Sequence, residues 1–285
     1  MFLIICNIKM EVLCNVSEII SELQICFSNN ISLNDIEPDY TLVINYVDKS
    51  SITVTLVNDM KEIIYNDTFE SRKFMDIFVN QMLLYILRDK NIISFHASSF
   101  MYNNTLYIII GKSGSGKTTF VLNSMLKNNA AYFSDDFTVF DLSNKMFMPF
   151  SRMFHIRMNT LKLLSLEKYN KRELFYKNDD DPYQIFFPAE LGIKICSLNK
   201  SISDVCFVNI KYVNGTSTKL EIKEPIDSLQ FLIRNCSNIT SVNTNIIDFF
   251  KEAIKSGAQF YSLEYSDYSN AFDKLTRTTE EKNNV

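Results

Sequence analysis

Apolar and polar residues alternate in two short runs near the start of the chain, as in half-buried β-strands. Thr41–Tyr46 and Ile52–Val57 follow this pattern, and Asp48–Ser51 between them is composed of turn-forming residues. Over 71–88 the spacing changes, and apolar residues recur every three or four positions, at Phe74, Ile77, Phe78, Met82, Tyr85 and Ile86. That period predicts an amphipathic helix. Residues 1–90 are therefore predicted to form a small α+β domain.

From residue 91 to residue 285 the pattern predicts a second domain in which strands and helices alternate. The apolar run Ile92–Ala97 is continued by Ser98–Tyr102 as far as a turn at Asn103 and Asn104. After the turn the pattern predicts a strand, a helix and two more strands, at Leu106–Ile110, Thr118–Lys127, Ala131–Ser134 and Phe137–Asp141. Strands that alternate with helices in this way are typical of α/β proteins.

The last part of the chain is predicted to be mixed as well. Residues 159–181 have a helical pattern. Val205–Ile210 and Ser217–Ile222 flank Asn214 and Gly215, and an Asn-Gly pair between apolar runs favours a β-hairpin. The remaining segments are predicted to be helices at 226–236 and 245–256, a strand at 260–264, a helix at 270–277 and a frayed polar end at 278–285.

Composition narrows the classes of function. The 285 residues carry a formal net charge of −4 and no basic stripe, which argues against nucleic acid as a partner. None of the six cysteines forms a C-x-x-C pair, so the sequence does not favour a zinc site. Residues 1–6 are apolar but lack a basic start and are followed by Asn7 and Lys9, which fits a strand better than a signal peptide or membrane span. We therefore expect a cytoplasmic protein with no membrane partner.

The strongest chemical signal is a glycine-rich loop directly behind the strand Leu106–Ile110. Residues 111–118 read Gly-Lys-Ser-Gly-Ser-Gly-Lys-Thr, which is the G-x-x-x-x-G-K-[ST] pattern of a phosphate-binding loop. Three of the six glycines of the chain lie here. Backbone N–H groups of such a loop bind phosphate at a helix N-terminus. The nucleotide-binding residues are predicted to be Gly111, Ser113, Gly114, Ser115, Gly116, Lys117, Thr118 and Thr119.

Two further features are candidates for the chemistry of phosphate transfer. Asp135 and Asp136 follow the strand predicted after the loop helix, where a carboxylate can face the phosphates. The alternative is that they only end the strand as turn residues. His96 lies on a strand upstream of the loop and could approach the terminal phosphate, or it could be a structural histidine with a satisfied hydrogen bond.

His96, the loop Gly111–Thr118 and the run Ser134-Asp135-Asp136 occur in an order that resembles the HPr kinase/phosphorylase family. The resemblance covers about residues 92–141. It implies an α/β fold with a phosphate-loop HPr kinase-like core beside the small N-terminal α+β domain. Lys112 stands where the bifunctional members of that family have an acidic residue.

The resemblance also implies an activity and residue roles. The activity is a serine kinase that uses ATP and Mg²⁺ and acts on a peptide or protein. Asp135 would accept the proton of the substrate hydroxyl, and His96 and Lys117 would assist. Thr118 and Asp136 would lie near the metal ion. The N-terminal domain would recognise the substrate, and assembly into a homo-oligomer is left open.

Two other functions fit the same motif. One is a kinase of the same fold that acts on a small hydroxylated metabolite. The other is a nucleotide-dependent switch or ATPase without a phosphate acceptor. An ABC-type ATPase is disfavoured, because no L-S-G-G-Q segment follows the loop.

Overall fold

The computed structural model describes residues 1–150, 153–168, 183–237 and 244–283. Strands and helices are mixed along the whole chain, so the predicted mixed α/β class is confirmed. The chain divides into two compact units. The N-terminal unit comprises Met1–Ile86 and Ser151–Phe187, and the phosphate-loop unit comprises Leu87–Phe150 and Pro188–Val285. The predicted domains 1–90 and 91–285 differ from these units mainly in the placement of 151–187.

The strands, in chain order, are β1 (Phe2–Ile5), β2 (Ile8–Cys14), β3 (Ile31–Ser32), β4 (Tyr40–Tyr46), β5 (Ser51–Asn58), β6 (Ile63–Glu70), β7 (Ile92–Phe95), β8 (Ser98–Tyr102), β9 (Thr105–Ile110), β10 (Ala131–Ser134), β11 (Thr138–Asp141), β12 (Met146–Met148), β13 (Phe154–Arg157), β14 (Tyr183–Phe186), β15 (Lys200–Ser201), β16 (Val205–Tyr212), β17 (Lys219–Ile222) and β18 (Gln259–Tyr265).

The α-helices, in the same order, are α1 (Ser17–Cys26), α2 (Phe74–Ile77), α3 (Leu84–Asp89), α4 (Lys117–Asn128), α5 (Met158–Leu163), α6 (Pro225–Arg234), α7 (Thr244–Lys255) and α8 (Tyr268–Asn283). A π-helical segment at Phe78–Leu83 joins α2 to α3. Short 3₁₀ turns lie at Ser28–Asn30, Ser71–Lys73, Pro188–Leu191 and Ile202–Asp204.

The N-terminal unit is built on one six-stranded sheet in the order β3-β1-β2-β4-β5-β6. Its neighbouring strands are antiparallel except β2 and β4, which are parallel. Alternate residues of β5, Ile52, Val54 and Leu56, are fully buried, as the period of two in the sequence predicts. The helical pattern predicted over 71–88 is confirmed by α2, the π-helical segment and α3.

One prediction for the N-terminal unit is wrong. The helix expected over 159–181 ends as α5 at Leu163. Leu164 donates its N–H to the carbonyl oxygen of Thr160, and Ser165 then takes a φ of +54°, which a right-handed helix cannot continue through. Residues 169–182 of the predicted helix lie outside the described residues.

The phosphate-loop unit contains a six-stranded sheet in the order β10-β8-β9-β16-β18-β17 and a four-stranded sheet in the order β15-β12-β11-β7. Strands β9, β16 and β18 are parallel. Strand β10 runs in the same direction as β9, because both are antiparallel to β8. The carboxyl ends of all four therefore lie at one edge of the sheet, which is where open α/β sheets bind ligands.

The two sheets share an apolar core. Ile108 and Ile110 of β9, with Phe207 and Phe260, belong to the same buried cluster as Phe140, Phe147 and the helix residue Phe249. On the other face of the six-stranded sheet, α4 contacts β8 and β9, and α8 contacts β17 and β18. The sheet that carries the loop is thus covered on both faces, which explains why every residue of β9 is buried.

Strand pairing differs from the prediction in two places. The segments predicted as a hairpin around Asn214 and Gly215 do not pair, because β18 lies between β16 and β17. The segment 92–102, predicted as one continuous strand, is split into β7 and β8, which belong to different sheets.

The polar end of the chain is helical. Helix α8 continues to Asn283, although 278–285 was predicted to fray. Thr279 is fully buried, and its hydroxyl group is 2.7 Å from the hydroxyl group of Tyr107 in β9. This buried contact with the central sheet stabilises a helix whose sequence is mostly polar. Residues 284–285 lie outside the described residues.

Candidate active site

The glycine-rich loop joins the end of β9 to the first residue of α4, as the sequence predicts. Gly114 and Gly116 have φ values of +77° and +94°. L-residues with a Cβ rarely adopt these values, whereas glycine adopts them without strain. A Cβ on Gly111 would contact Ser115 Oγ and would lie 2.8 Å from the carbonyl oxygen of Ile210. All three glycines are therefore needed for the shape of the loop.

Lys117 is buried at the start of α4, with 7% of its surface exposed. Its Nζ donates to the carbonyl oxygen of Gly111 at 2.8 Å and lies 3.5 Å from that of Lys112. The ammonium group is thus held across the loop. Ser115 Oγ is buried there without a hydrogen-bond partner in the described structure. A buried hydroxyl without a partner costs free energy, and an anion in the loop would supply an acceptor for it.

Two tyrosines from neighbouring strands border the end of the loop. Tyr212 of β16 donates its N–H to the carbonyl oxygen of Ser115 at 3.1 Å. The hydroxyl oxygen of Tyr265 lies 3.2 Å from the position that a Cβ on Gly116 would occupy. Burial raises the pKa of the Tyr265 phenol, so this hydroxyl group stays protonated at neutral pH. The loop is therefore fastened to the strands on its β16 side.

On the other side of β9, two chain segments bend together. Between β7 and β8, and again between β10 and β11, the chain passes from one sheet to the other. Two backbone pairs bound this corner, Phe95 with Thr138 and Ser99 with Ser134. Segment 96–98 therefore lies opposite segment 135–137, and we call these six residues the corner. The corner places His96 and the two aspartates next to each other in the fold.

Buried hydroxyl groups surround the corner. Ser98 Oγ donates to Asp135 Oδ1 at 2.5 Å, and both residues are at most 2% exposed. Ser134 Oγ is 2.5 Å from Ser99 Oγ and 2.8 Å from Thr138 Oγ1. Thr138 Oγ1 also donates to the carbonyl oxygen of Ala97 at 3.3 Å. Thr138 thus satisfies a backbone carbonyl at the bend, and Ser98 holds one oxygen of the Asp135 carboxylate.

Asp136 and His96 differ from Asp135 in exposure. Asp136 is partly buried and has a φ of +62°, a conformation that Asp tolerates better than most residues. His96 is exposed, and its backbone N–H donates to the carbonyl oxygen of Asn235 at 2.6 Å. Both side chains are thus accessible at the corner, whereas Asp135 is shielded from solvent.

Sheet geometry relates the corner to the loop. Ser98, the partner of Asp135, pairs with Ile109 of β9, and Gly111 lies two residues further along the chain. Strands β10 and β9 are separated by β8 alone, so their axes are about 10 Å apart. The loop and the aspartates therefore occupy the same edge of the same sheet.

The donors available at this edge suit a hard cation. Thr118 offers a hydroxyl oxygen on the first turn of α4, and Asp136 offers a carboxylate. No group of three or more His, Cys, Asp and Glu side chains that could hold a metal ion occurs in the described part of the chain. Hydroxyl and carboxylate oxygens are ligands of the type that Mg²⁺ takes, usually together with waters and substrate phosphates.

Sequence reasoning missed the hydroxyl groups of Ser98, Ser99 and Thr138 and both tyrosines beside the loop. Ser98 and Ser99 interrupt an otherwise apolar run, which is the one signal in the sequence for a buried hydroxyl cluster. Tyr212 ends β16, which pairs with β9, and Tyr265 ends β18, which pairs with β16; both pairings are long-range.

Comparisons with known proteins leave the family of this chain open. No protein-family model and no curated protein matches the sequence. Among solved structures, the chain is similar to the HPr(Ser) kinase/phosphatase from Coxiella burnetii, with 10% sequence identity, a TM-score of 0.31, and coverage of 67% of this chain and 99% of that chain. A likeness at this level is distant and assigns neither an activity nor any residue. Among the described residues, no helix combines the length and the apolarity that crossing a bilayer requires.

Proposed function

We propose that this protein is an ATP-dependent kinase that transfers the γ-phosphoryl group to a serine or threonine hydroxyl of a peptide or protein. The observation that carries the proposal is the placement of Asp135 and the glycine-rich loop at one edge of one sheet. A loop alone fits any phosphate-binding protein, whereas a carboxylate oriented beside it fits transfer to a hydroxyl group.

The proposed roles follow from the geometry of each residue. The loop residues Gly111 to Gly116 would bind the phosphates through backbone N–H groups, and Lys117 would neutralise their charge. Asp135 would accept the hydroxyl proton of the substrate, because the hydroxyl of Ser98 holds its carboxylate in one orientation. The exposed His96 would contact the phosphate or the substrate from the same corner.

Thr118 and Asp136 would hold Mg²⁺, which supplies positive charge to the phosphates when it is bound. A cytoplasmic protein or peptide remains the proposed partner, and the acceptor sequence is not specified by any residue of the site. The N-terminal unit would recognise this partner.

The test is a transfer assay with γ-labelled ATP and Mg²⁺. The protein is incubated with a library of Ser- and Thr-containing peptides, with free serine and sugars, and with no acceptor. Label on peptides supports the proposal. Label on a small molecule would replace it with a metabolite kinase, and release of phosphate with no labelled product in any mixture would replace it with an ATPase or switch.

A further inference from the structure

Tyr212 has no role in the site as proposed so far, and its position is unusual. It ends β16, where Val205, Cys206, Val208 and Ile210 are all buried, yet 49% of its own surface is exposed. The exposed ring lies at the edge of the sheet that carries the phosphate loop.

The ring is fixed against the loop. The backbone N–H of Tyr212 binds the carbonyl oxygen of Ser115, and its Cβ lies 3.5 Å from the position that a Cβ on Gly116 would occupy. The ring of Tyr265 meets it edge to face, with 5.6 Å between centroids and 77° between planes. Tyr265 is itself held by Phe120 of α4, at 5.4 Å between centroids. An aromatic ring supported in this way loses little conformational freedom when it binds a ligand.

The chain that follows Tyr212 extends the same surface. Val213 donates its N–H to the carbonyl oxygen of Tyr265 at 2.8 Å, and Gly215 donates its N–H to Ser266 Oγ at 3.0 Å. The ends of β16 and β18 are thus joined into one ordered rim next to the loop.

The order of the strands gives a bound nucleotide a direction. Asp135 follows β10, two strands from β9 on one side, and Tyr212 ends β16, the neighbour of β9 on the other side. If the terminal phosphate is directed towards Asp135, the nucleoside end of the nucleotide extends towards β16. An exposed aromatic ring is a surface on which a nucleobase stacks.

We propose that Tyr212 is the stacking residue for the nucleobase of the nucleotide whose phosphates the loop binds. This inference rests on the proposed function, because it requires the loop to bind a nucleotide. It assigns the nucleoside end of the site to the rim formed by β16 and β18.

The test compares two ligands that share phosphates and differ in the nucleoside: ATP and inorganic tripolyphosphate. Affinities are measured by calorimetry for the full chain and for Tyr212→Ala, Tyr212→Phe and Tyr46→Ala. Tyr46 is the matched control, because it is 43% exposed and belongs to the N-terminal unit.

We expect Tyr212→Ala to weaken ATP binding about tenfold or more, the usual loss of a base–aromatic stack. Its tripolyphosphate affinity should stay within about twofold, as should both affinities of Tyr46→Ala. Tyr212→Phe keeps the ring and should bind ATP like the unchanged protein.

Three results would overturn the inference. An equal loss of both affinities in Tyr212→Ala would mean that Tyr212 only shapes the loop. Unchanged ATP affinity in that variant would mean that the base lies elsewhere. Absence of binding of either ligand to the unchanged protein would overturn the proposed function together with this inference, whereas the first two results leave the proposed function intact.

Discussion

A buried carboxyl group in each unit of the protein differs in its hydrogen bonding. In the N-terminal unit, Glu22 of α1 is 4% exposed and its Oε1 has no hydrogen-bond partner in the described structure. In the phosphate-loop unit, Asp135 is 2% exposed and accepts a hydrogen bond from Ser98. A buried carboxylate is tolerated when it is hydrogen-bonded and is neutralised when it is not. The Asp135 carboxylate is thus held by a hydrogen bond, whereas burial of Glu22 costs stability.

The two units also differ in their glycine content. All six glycines of the chain lie in the phosphate-loop unit, and three of them form the loop. In the N-terminal unit, the described residues with positive φ are Cys6, Asn7, Lys61 and Ser165. Glycine thus takes the positive φ values of the loop, where the backbone is proposed to bind the phosphates.

The largest effect is expected from Gly116→Ala, which adds one methyl group to the loop. Gly116→Ala forces φ +94° on a residue with a Cβ and places that Cβ 3.2 Å from the hydroxyl oxygen of Tyr265. We expect ATP affinity and transfer to fall about a hundredfold or more, because the N–H groups no longer converge on the phosphates. Calorimetry with ATP and the transfer assay measure this.

Gly257→Ala is the matched control for that variant. Gly257 also has a positive φ, +77°, but no atom lies within 4 Å of the added Cβ. It should lower the free energy of unfolding by about 1 kcal/mol through strain alone and leave ATP affinity unchanged. Equal loss of ATP binding in both variants would contradict the assignment of the loop.

The next effect concerns stability and pH in the N-terminal unit. Burial raises the pKa of the Glu22 carboxyl to about 7, above its unfolded value near 4.5. The folded state therefore holds the proton more tightly, so its stabilising contribution is complete below about pH 4.5 and is lost as the pH rises through about 7. Over this interval the protein should lose about 3 kcal/mol of unfolding free energy.

Glu22→Gln should remove most of this pH dependence. Denaturant unfolding at pH 5 and pH 8 measures it, and the variant should exceed the unchanged protein in stability mainly at pH 8. ATP transfer should be the same in both proteins at either pH. A stability gain of the same size at both values would show that burial of Glu22 does not act through its charge.

A smaller effect on the transfer rate should distinguish substitutions of the two neighbouring serines of β8. Ser98 donates to Asp135, whereas Ser99 bonds to the hydroxyl groups of Ser134 and Thr138. Each substitution by Ala should cost about 1–3 kcal/mol of stability, because buried polar partners lose a hydrogen bond. Only Ser98→Ala should also lower the transfer rate, by about tenfold, since Ser98 donates to the carboxylate that is proposed to act as the base.

Steady-state kinetics on both serine variants checks this prediction at a temperature where circular dichroism shows each to be folded. A loss of rate in Ser99→Ala that equals the loss in Ser98→Ala would mean that the hydroxyl cluster acts only through stability.

How far the sequence predicts the structure depends on the range of the contacts involved. The strand, loop and helix of 105–128 follow from local signals: an apolar run, glycines at the turn and a period of 3.6. The hairpin predicted at Asn214 and Gly215 does not form, because β16 pairs instead with β18, about 40 residues later in the chain. A local turn signal cannot predict pairing with a strand that is so distant in the sequence.

The corner is the part of the site that the sequence predicts least well. No glycine or proline marks the bend at His96 and Ala97, since hydroxyl side chains compensate for it. The order after the loop predicts Asp135 and Asp136 as candidates, but the contact of Ser98 with Asp135 is visible only once β8 and β10 are paired.

Asp135 is proposed to act as the base in phosphoryl transfer and not to bind the nucleotide. Asp135→Asn retains the size of the side chain and an oxygen that can accept from Ser98, but it removes the base. The decisive measurement is transfer of label from γ-labelled ATP to a peptide acceptor, with ATP affinity determined on the same preparation. The account predicts ATP affinity within about threefold of the unchanged protein and transfer reduced by a factor of about a hundred or more. Unchanged transfer by Asp135→Asn would contradict it.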